Sequence, residues 1–69
     1  MDDQKRQLVK EEAVLLALKN GTALIRRELE VYGIKIDGTT EFISRSNSYD
    51  SLWEDALMAL RKKFSQNKK

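Results

Sequence analysis

The sequence lacks cysteine, histidine and proline altogether, and it contains three glycines among its 69 residues. Without cysteine no disulfide can support the fold, and the usual thiolate and imidazole ligands of a structural zinc ion are missing. A chain below roughly 70–80 residues commonly needs such a support, because its hydrophobic core is thin. We therefore expect a single small domain over residues 1–69, with no cofactor and no metal, that relies on helix packing, self-association or a larger partner.

The same absences exclude most catalytic sites. Nucleophile–base arrangements such as Ser–His–Asp and Cys–His need residue types that this chain does not contain. The glycines at 21, 33 and 38 do not fit the spacing of a phosphate-binding loop. Neighbouring acids such as Glu11 and Glu12 point about 100° apart on a helix, so they do not converge on one substrate atom. We predict that the protein is not an enzyme.

The charge is nearly balanced, with 13 Lys/Arg against 11 Asp/Glu and a formal net charge of +2. The basic excess lies at the C-terminal end, and the rest of the chain is acidic overall, whereas a nucleic-acid-binding surface is usually basic. No apolar run reaches the ~18 residues of a membrane span, and the N-terminus lacks the basic start and apolar stretch of a secretory signal. We expect a cytoplasmic protein with no membrane contact.

Helical spacing of apolar residues predicts a first helix over residues 3–19, stopped by Asn20-Gly21. The segment 13–18 is apolar nearly all round, which predicts that it is covered on more than one side, by a second copy or by a core that wraps around it. A capping box at Ser51 and Glu54 predicts the start of the last helix. Its apolar stripe consists of Trp53, Ala56, Leu57, Leu60 and Phe64.

Residues 22–32 fit two structures. As a helix, the segment has Ile25, Leu29 and Tyr32 on one face at i, i+4 and i+7, and Gly33 could end it. As a strand, Leu29 and Val31 alternate with charged residues. The capping residues at both ends favour the helix. The Asp37-Gly38 turn that follows predicts a short two-stranded hairpin within 34–43, with residues 34–36 paired to 40–43.

The predicted fold class is therefore mainly α: a small helical domain of order α-α-(short β-hairpin)-α, with residues 65–69 as a frayed basic tail. An alternative is an all-α fold with one long C-terminal helix over residues 40–64. In that helix Phe42, Tyr49 and Trp53 would continue the apolar stripe backwards. The polar segment 44–48 argues against it, because serine and asparagine prefer caps and turns.

Two sets of side chains are candidates for binding. Apolar and aromatic residues on the first and last helices form a candidate protein interface, since tryptophan and tyrosine are common interface anchors: Val9, Ala13, Leu16, Tyr49 and Trp53. Basic residues form a candidate nucleic-acid contact, because they could bind phosphates: Arg26, Arg27, Arg61, Lys62, Lys63, Lys68 and Lys69.

The sequence favours a small non-enzymatic protein that binds another macromolecule, as a protein–protein adaptor, antagonist or regulatory factor of bacterial or phage type. A protein partner is expected first, and a homodimer is possible through the apolar face of the first helix. The alternative function is that of a nucleic-acid-binding regulator that uses the basic C-terminal tail and Arg26/Arg27.

Overall fold

The computed structural model of the chain describes residues 3–65. Its elements are two helices and three strands, in the order α1 (Asp3–Lys19), β1 (Thr22–Arg27), β2 (Glu30–Lys35), β3 (Thr40–Arg45) and α2 (Tyr49–Ser65). The strands form one antiparallel sheet of order β1-β2-β3. No helix within residues 3–65 is long and apolar enough to cross a membrane.

The predicted mainly helical fold is wrong, and so is the long C-terminal helix over 40–64. Residues 22–32 form a strand, a turn and the start of a second strand, where a helix was expected. The turn is only two residues long, and Glu28 within it has φ of 55°. The Arg26 guanidinium donates to the Glu28 carbonyl at 2.8 Å, and the Ser46 amide donates to the Leu29 carbonyl at 3.0 Å. These two contacts hold the turn in which Glu28 has a positive φ. A residue in this left-handed conformation cannot be part of a right-handed α-helix.

The Asp37-Gly38 turn connects β2 to β3, but the strands are longer than the predicted hairpin and belong to a larger sheet. Gly38 has φ of 89°, and the Asp37 carboxylate accepts hydrogen bonds from the Thr39 amide and hydroxyl at 3.0 and 2.8 Å. Residues 40–45 are paired to β2 through Ile34↔Thr40 and its neighbours, so they cannot continue α2 backwards.

Both helices have the predicted place at the ends of the chain. The first helix ends at Asn20-Gly21 as expected, with φ of 75° at Gly21 and the Asn20 side chain donating to the Leu16 carbonyl at 2.9 Å. The last helix begins at Tyr49, two residues before the predicted cap at Ser51. The predicted frayed tail lies outside the described residues, except for Ser65 at the end of α2.

The core lies between the two helices and one face of the sheet. Its fully buried members come from both helices and from the central strand: Ala13, Ala17, Val31, Leu52, Ala56 and Leu60, with Trp53 and Leu57 nearly buried beside them. Three of these residues are alanines, so the helices can approach closely while the larger side chains of α2 fill the space above the sheet. The all-round apolar segment of α1 is thus covered on one side by the chain's own core.

Gly33 is placed where a side chain does not fit. It lies in the central strand, and a Cβ at this position would be 2.6 Å from Cγ2 of Thr22, which is itself buried on the neighbouring strand. The branched Thr22 side chain has few alternative rotamers, so it cannot move away at low cost. This close approach explains why a glycine interrupts β2, a position where a helix end was expected.

We predict that Gly33→Ala destabilises the fold by about 1–3 kcal/mol, because of overpacking against Thr22. The loss should be smaller in a Thr22→Ser background, where the clashing methyl group is absent. Urea unfolding of the wild type, the two single variants and the double variant measures the loss of stability caused by Gly33→Ala in each background. An equal loss in the two backgrounds would show that the contact with Thr22 does not limit this position.

Candidate binding surface

The outer face of the sheet is not covered by either helix. Ile25 of β1 is directly opposite Tyr32 of β2, which is directly opposite Phe42 of β3. Residues opposite each other in antiparallel strands point to the same face, so these three side chains form a continuous row. We call them the outer apolar row. Ile34 of β2 points to the same face and adds to this apolar surface. Its cross-strand partners are Ala23 of β1 and Thr40 of β3.

The outer apolar row is accessible to solvent. Phe42 is 55% exposed and Ile25 is 37% exposed, while Tyr32 between them is half-buried. The Tyr32 and Phe42 rings meet edge to face, with centroids 5.8 Å apart and planes at 80°. By contrast, Val31 beside Tyr32 on the same strand is fully buried among the helices. The sheet therefore has one covered face and one face that presents apolar and aromatic side chains.

Charged side chains border this row along one side. Arg27, Glu30 and Arg45 are paired across the three strands, which places them next to the outer apolar row. The Arg45 Nε lies 3.9 Å from the Glu30 carboxylate. The Tyr32 hydroxyl donates to the same carboxylate at 2.7 Å, which raises the pKa of the Tyr32 phenol above its usual 10.0. Glu30 thereby fixes the orientation of the central ring.

A second cluster brings together residues from both predicted sets. Tyr49, at the start of α2, has the Arg6 guanidinium 5.4 Å from its ring centroid and the Arg26 guanidinium at 5.6 Å. The Lys10 ammonium lies 5.4 Å from the Trp53 ring centroid. An acid neutralises part of this cluster, because Arg6 also forms a 2.6 Å ion pair with Asp50. These are intramolecular cation–π contacts that tie α1 and β1 to the start of α2.

The remaining residues of the predicted protein interface lie in or beside the core. Ala13 is fully buried and Trp53 is nearly so, while Val9 and Leu16 are half-buried at the edge of the same cluster. Tyr49 is the exposed member of the set. The prediction assigned all five side chains to contact with a partner, whereas the four other than Tyr49 pack in or against the chain's own core.

The basic residues predicted to contact nucleic acid do not form one surface in the described part of the chain. Successive residues of a strand point to opposite faces, so Arg26 and Arg27 diverge, and only Arg27 lies beside the outer apolar row. Arg61 donates to Glu12 at 2.6 Å, and Lys63 donates to Glu41. Lys62 is exposed on α2, and Lys68 and Lys69 lie outside the described residues.

The Glu41 carboxylate joins the sheet to the end of α2. The hydrogen bond from Lys63 holds the pKa of Glu41 below its usual 4.5, and the nearby Lys35 ammonium, 3.4 Å away, lowers it further. An open groove of about 530 Å³ lies beside this contact, between the end of α1, the β2–β3 turn and α2. Two lysines and one aspartate are its ionisable lining residues. Residues 3–65 contain no cluster of three or more side chains suited to hold a metal ion.

No protein-family model, no curated protein and no solved structure matches this chain. The function must therefore be inferred from the surfaces that the fold creates. The sequence did not reveal the outer apolar row, because Ile25 and Tyr32 also fit one face of a helix and Phe42 fits the seam of another. The one signal that points to the row is the Asp37-Gly38 turn, which places Tyr32 and Phe42 on neighbouring strands.

We predict that Glu30→Ala lowers the pKa of Tyr32 toward 10.0, because it removes both the hydrogen bond and the nearby negative charge. A titration of Tyr32 by NMR of a ¹³C-labelled phenol measures this value. Glu54→Ala on the exposed side of α2 serves as the control and should leave it unchanged. An unaltered Tyr32 pKa in the Glu30 variant would show that the carboxylate does not hold this ring.

Proposed function

We propose that this protein is a small non-enzymatic binding module, and that the outer face of its sheet contacts a protein partner. The observation that supports this most directly is the exposed outer apolar row of Ile25, Tyr32 and Phe42. A contiguous apolar patch bordered by charged side chains is typical of an interaction site on a soluble protein. The adaptor, antagonist or regulatory role expected from the sequence would be exerted through this face.

The composition of the face suits a protein interface. Tyrosine, phenylalanine and arginine are enriched at the centres of such interfaces, and they provide much of the binding energy. The contact with Glu30 keeps the Tyr32 ring in one orientation before binding, so less side-chain entropy is lost when a partner arrives. Arg27 and Arg45 at the border would favour a partner that carries acidic residues around an apolar centre.

A nucleic-acid partner fits this face less well. Stacking of bases needs open aromatic faces along a positively charged groove. Here the edge-to-face contact between Tyr32 and Phe42 occupies one ring face, and Glu30 lies between the two arginines. Of the predicted phosphate contacts, Arg61 and Lys63 are engaged by acids of the same chain. A nucleic-acid partner would be recognised by a nuclease-sensitive cross-linked product.

The non-enzymatic role rests on the residue inventory, since the chain has neither cysteine nor histidine. We also propose a cytoplasmic setting of bacterial or phage type, on the basis of the cysteine-free and lysine-rich composition. Neither the non-enzymatic role nor the cytoplasmic setting depends on the outer apolar row, so a result against one of them would leave the proposed binding face unaffected.

We predict that a photoreactive benzoylphenylalanine at position 42 cross-links to a discrete protein in an extract of the cells that contain this chain. The same group at Met58, which is exposed on α2, is the matched control and should give no such product. An excess of wild-type chain without the photoreactive group should suppress the product, because it occupies the partner. An excess of a Phe42→Asp chain with unchanged circular dichroism should not suppress it.

The nature of the product decides between the alternatives. A product removed by protease and resistant to nuclease supports the proposal, whereas a nuclease-sensitive product would assign the face to nucleic acid. A product with twice the mass of the chain would assign it to a second copy. The absence of any product specific to position 42 would contradict a binding role for this face.

A further inference from the structure

Strand β1 forms one edge of the sheet, and in the described part of the chain it pairs with β2 alone. Arg27 and Glu30 flank a two-residue turn and are paired, so they exchange backbone hydrogen bonds, as does every second residue back along β1. The residues between, Thr22, Leu24 and Arg26, therefore direct their amide and carbonyl groups away from the sheet. No described residue forms a hydrogen bond with these outward groups. We call Thr22, Leu24 and Arg26 the β1 edge.

The opposite edge of the sheet, on β3, is less suited to accept another strand. Val31 is paired with Ser44 and Tyr32 with Phe42, which leaves Ile43 between them without its own partner on β2. Such a β-bulge bends and twists a strand, and bulges are a common protection of exposed edges. Strand β1 contains no bulge, because its six residues pair with β2 in one continuous register. The β1 edge is therefore the more regular template for an added strand.

The side chains along β1 indicate which kind of strand would fit. Ala23 and Ile25 are exposed on the outer face, so residues opposite them should be apolar. Arg26 and Arg27 lie at the end of the strand, and neither forms an ion pair with an acid of the described chain. Acidic residues opposite this end would each meet an unpaired guanidinium. The charges and apolar side chains together favour an extended segment with apolar residues at its centre and acids at one end.

A second copy of the chain fits this edge less well than a separate extended segment. Helix α1 packs against β1, and α2 packs against β3. If the β1 strands of two copies paired, they would lie about 4.8 Å apart and would bring both α1 helices together above them. Packed helices need about 8–10 Å between their axes. An extended segment that carries no helix above it avoids this crowding.

Building on the role of the protein as a binding module, we propose that the β1 edge is a site of strand addition. An extended acidic segment of another protein pairs antiparallel with β1, the orientation that is slightly more stable per residue. Hydrogen bonds with the backbone of the β1 edge supply most of its affinity, and contacts with Ala23, Ile25 and the two arginines supply its specificity. The β1 edge and the outer apolar row are different surfaces, so loss of one leaves the other able to bind.

Amide hydrogen exchange tests whether the β1 edge is open in the free chain. The Leu24 and Arg26 amides should exchange at least about tenfold faster than the Ile25 amide, which is directed toward β2. Slow exchange at Leu24 and Arg26 would show that the edge is already covered, and it would overturn the proposal.

Peptides selected from a random nine-residue library on the folded chain test the occupant. Enriched peptides should carry acids at one end of an alternating apolar segment, and a synthetic copy should slow exchange of the Leu24 and Arg26 amides. A chemically synthesised chain with an N-methyl group on Leu24 loses one outward donor but no hydrogen bond to β2. It should bind the peptide about tenfold or more weakly, because strand addition requires that donor and close approach.

Two further chains serve as controls. An N-methyl group on Phe42, whose amide is directed to the outward edge of β3, should leave the peptide affinity unchanged. Arg27→Ala should weaken binding of the acidic peptide, and it should have little effect on a peptide whose acids are replaced by glutamine. Circular dichroism checks that each chain is folded, and if the N-methyl-Leu24 chain is not, amide exchange and Arg27→Ala still test the edge.

The outcomes separate this site from the outer apolar row. Failure to enrich any peptide would overturn strand addition, and so would a peptide that binds the folded N-methyl-Leu24 chain as tightly as the wild type. A peptide that the Phe42→Asp chain no longer binds, but that the N-methyl-Leu24 chain retains, would belong to the outer apolar row. Enriched peptides that lack acids and are insensitive to Arg27→Ala would contradict the acidic character of the partner. A failed cross-link at position 42 would count against the outer row and not against the β1 edge.

Discussion

The packing of two helices against a single face of a three-stranded sheet is the constraint on which the other features of this protein depend. Ala13, Ala17 and Ala56 are fully buried in the shared core and are small enough to let the helices approach closely, while Leu52 and Leu60 are the large buried side chains of α2. Within residues 3–65 the chain has no further element with which to cover the other side of the sheet. Its apolar side chains there remain accessible.

This one-sided packing gives the two exposed surfaces different characters. The outer apolar row combines aromatic rings with bordering arginines, a composition that suits a different protein as partner. The outward side of α1 presents Leu8, Leu15 and Leu18, which are each more than half exposed and lie among charged residues of the same helix.

The parts of the fold that local signals determine were predictable from the sequence. The bounds of α1 follow from its apolar spacing and from the Asn20-Gly21 stop, and the Asp37-Gly38 turn indicates the connection between β2 and β3. The segment 22–32 was not predictable in the same way, because the hydrogen bond from the Ser46 amide to the Leu29 carbonyl comes from a distant part of the chain. Gly33 misled the prediction, since its role is steric fit against Thr22 rather than the end of a helix.

The candidate surface was missed for a related reason. Ile25 and Tyr32 were expected to be neighbours on one face of a helix, and they are neighbours, but as cross-strand partners. Strand β1 carries apolar residues on both faces, with Leu24 inward and Ile25 outward, so the alternation that identifies a half-exposed strand is absent. The residues predicted as an interface were recognised by their apolar character and aromaticity. Both properties are shared by buried core residues, and sequence spacing alone does not distinguish them.

The difference between the two faces of the sheet can be measured directly by methyl NMR with a soluble paramagnetic agent. The structure predicts strong signal loss for the Ile25 methyl groups on the outer face and weak loss for those of Val31, which is fully buried on the inner face. Similar signal loss at Ile25 and Val31 would contradict the packing of both helices on one face. It would also remove the basis for a binding role of the outer apolar row.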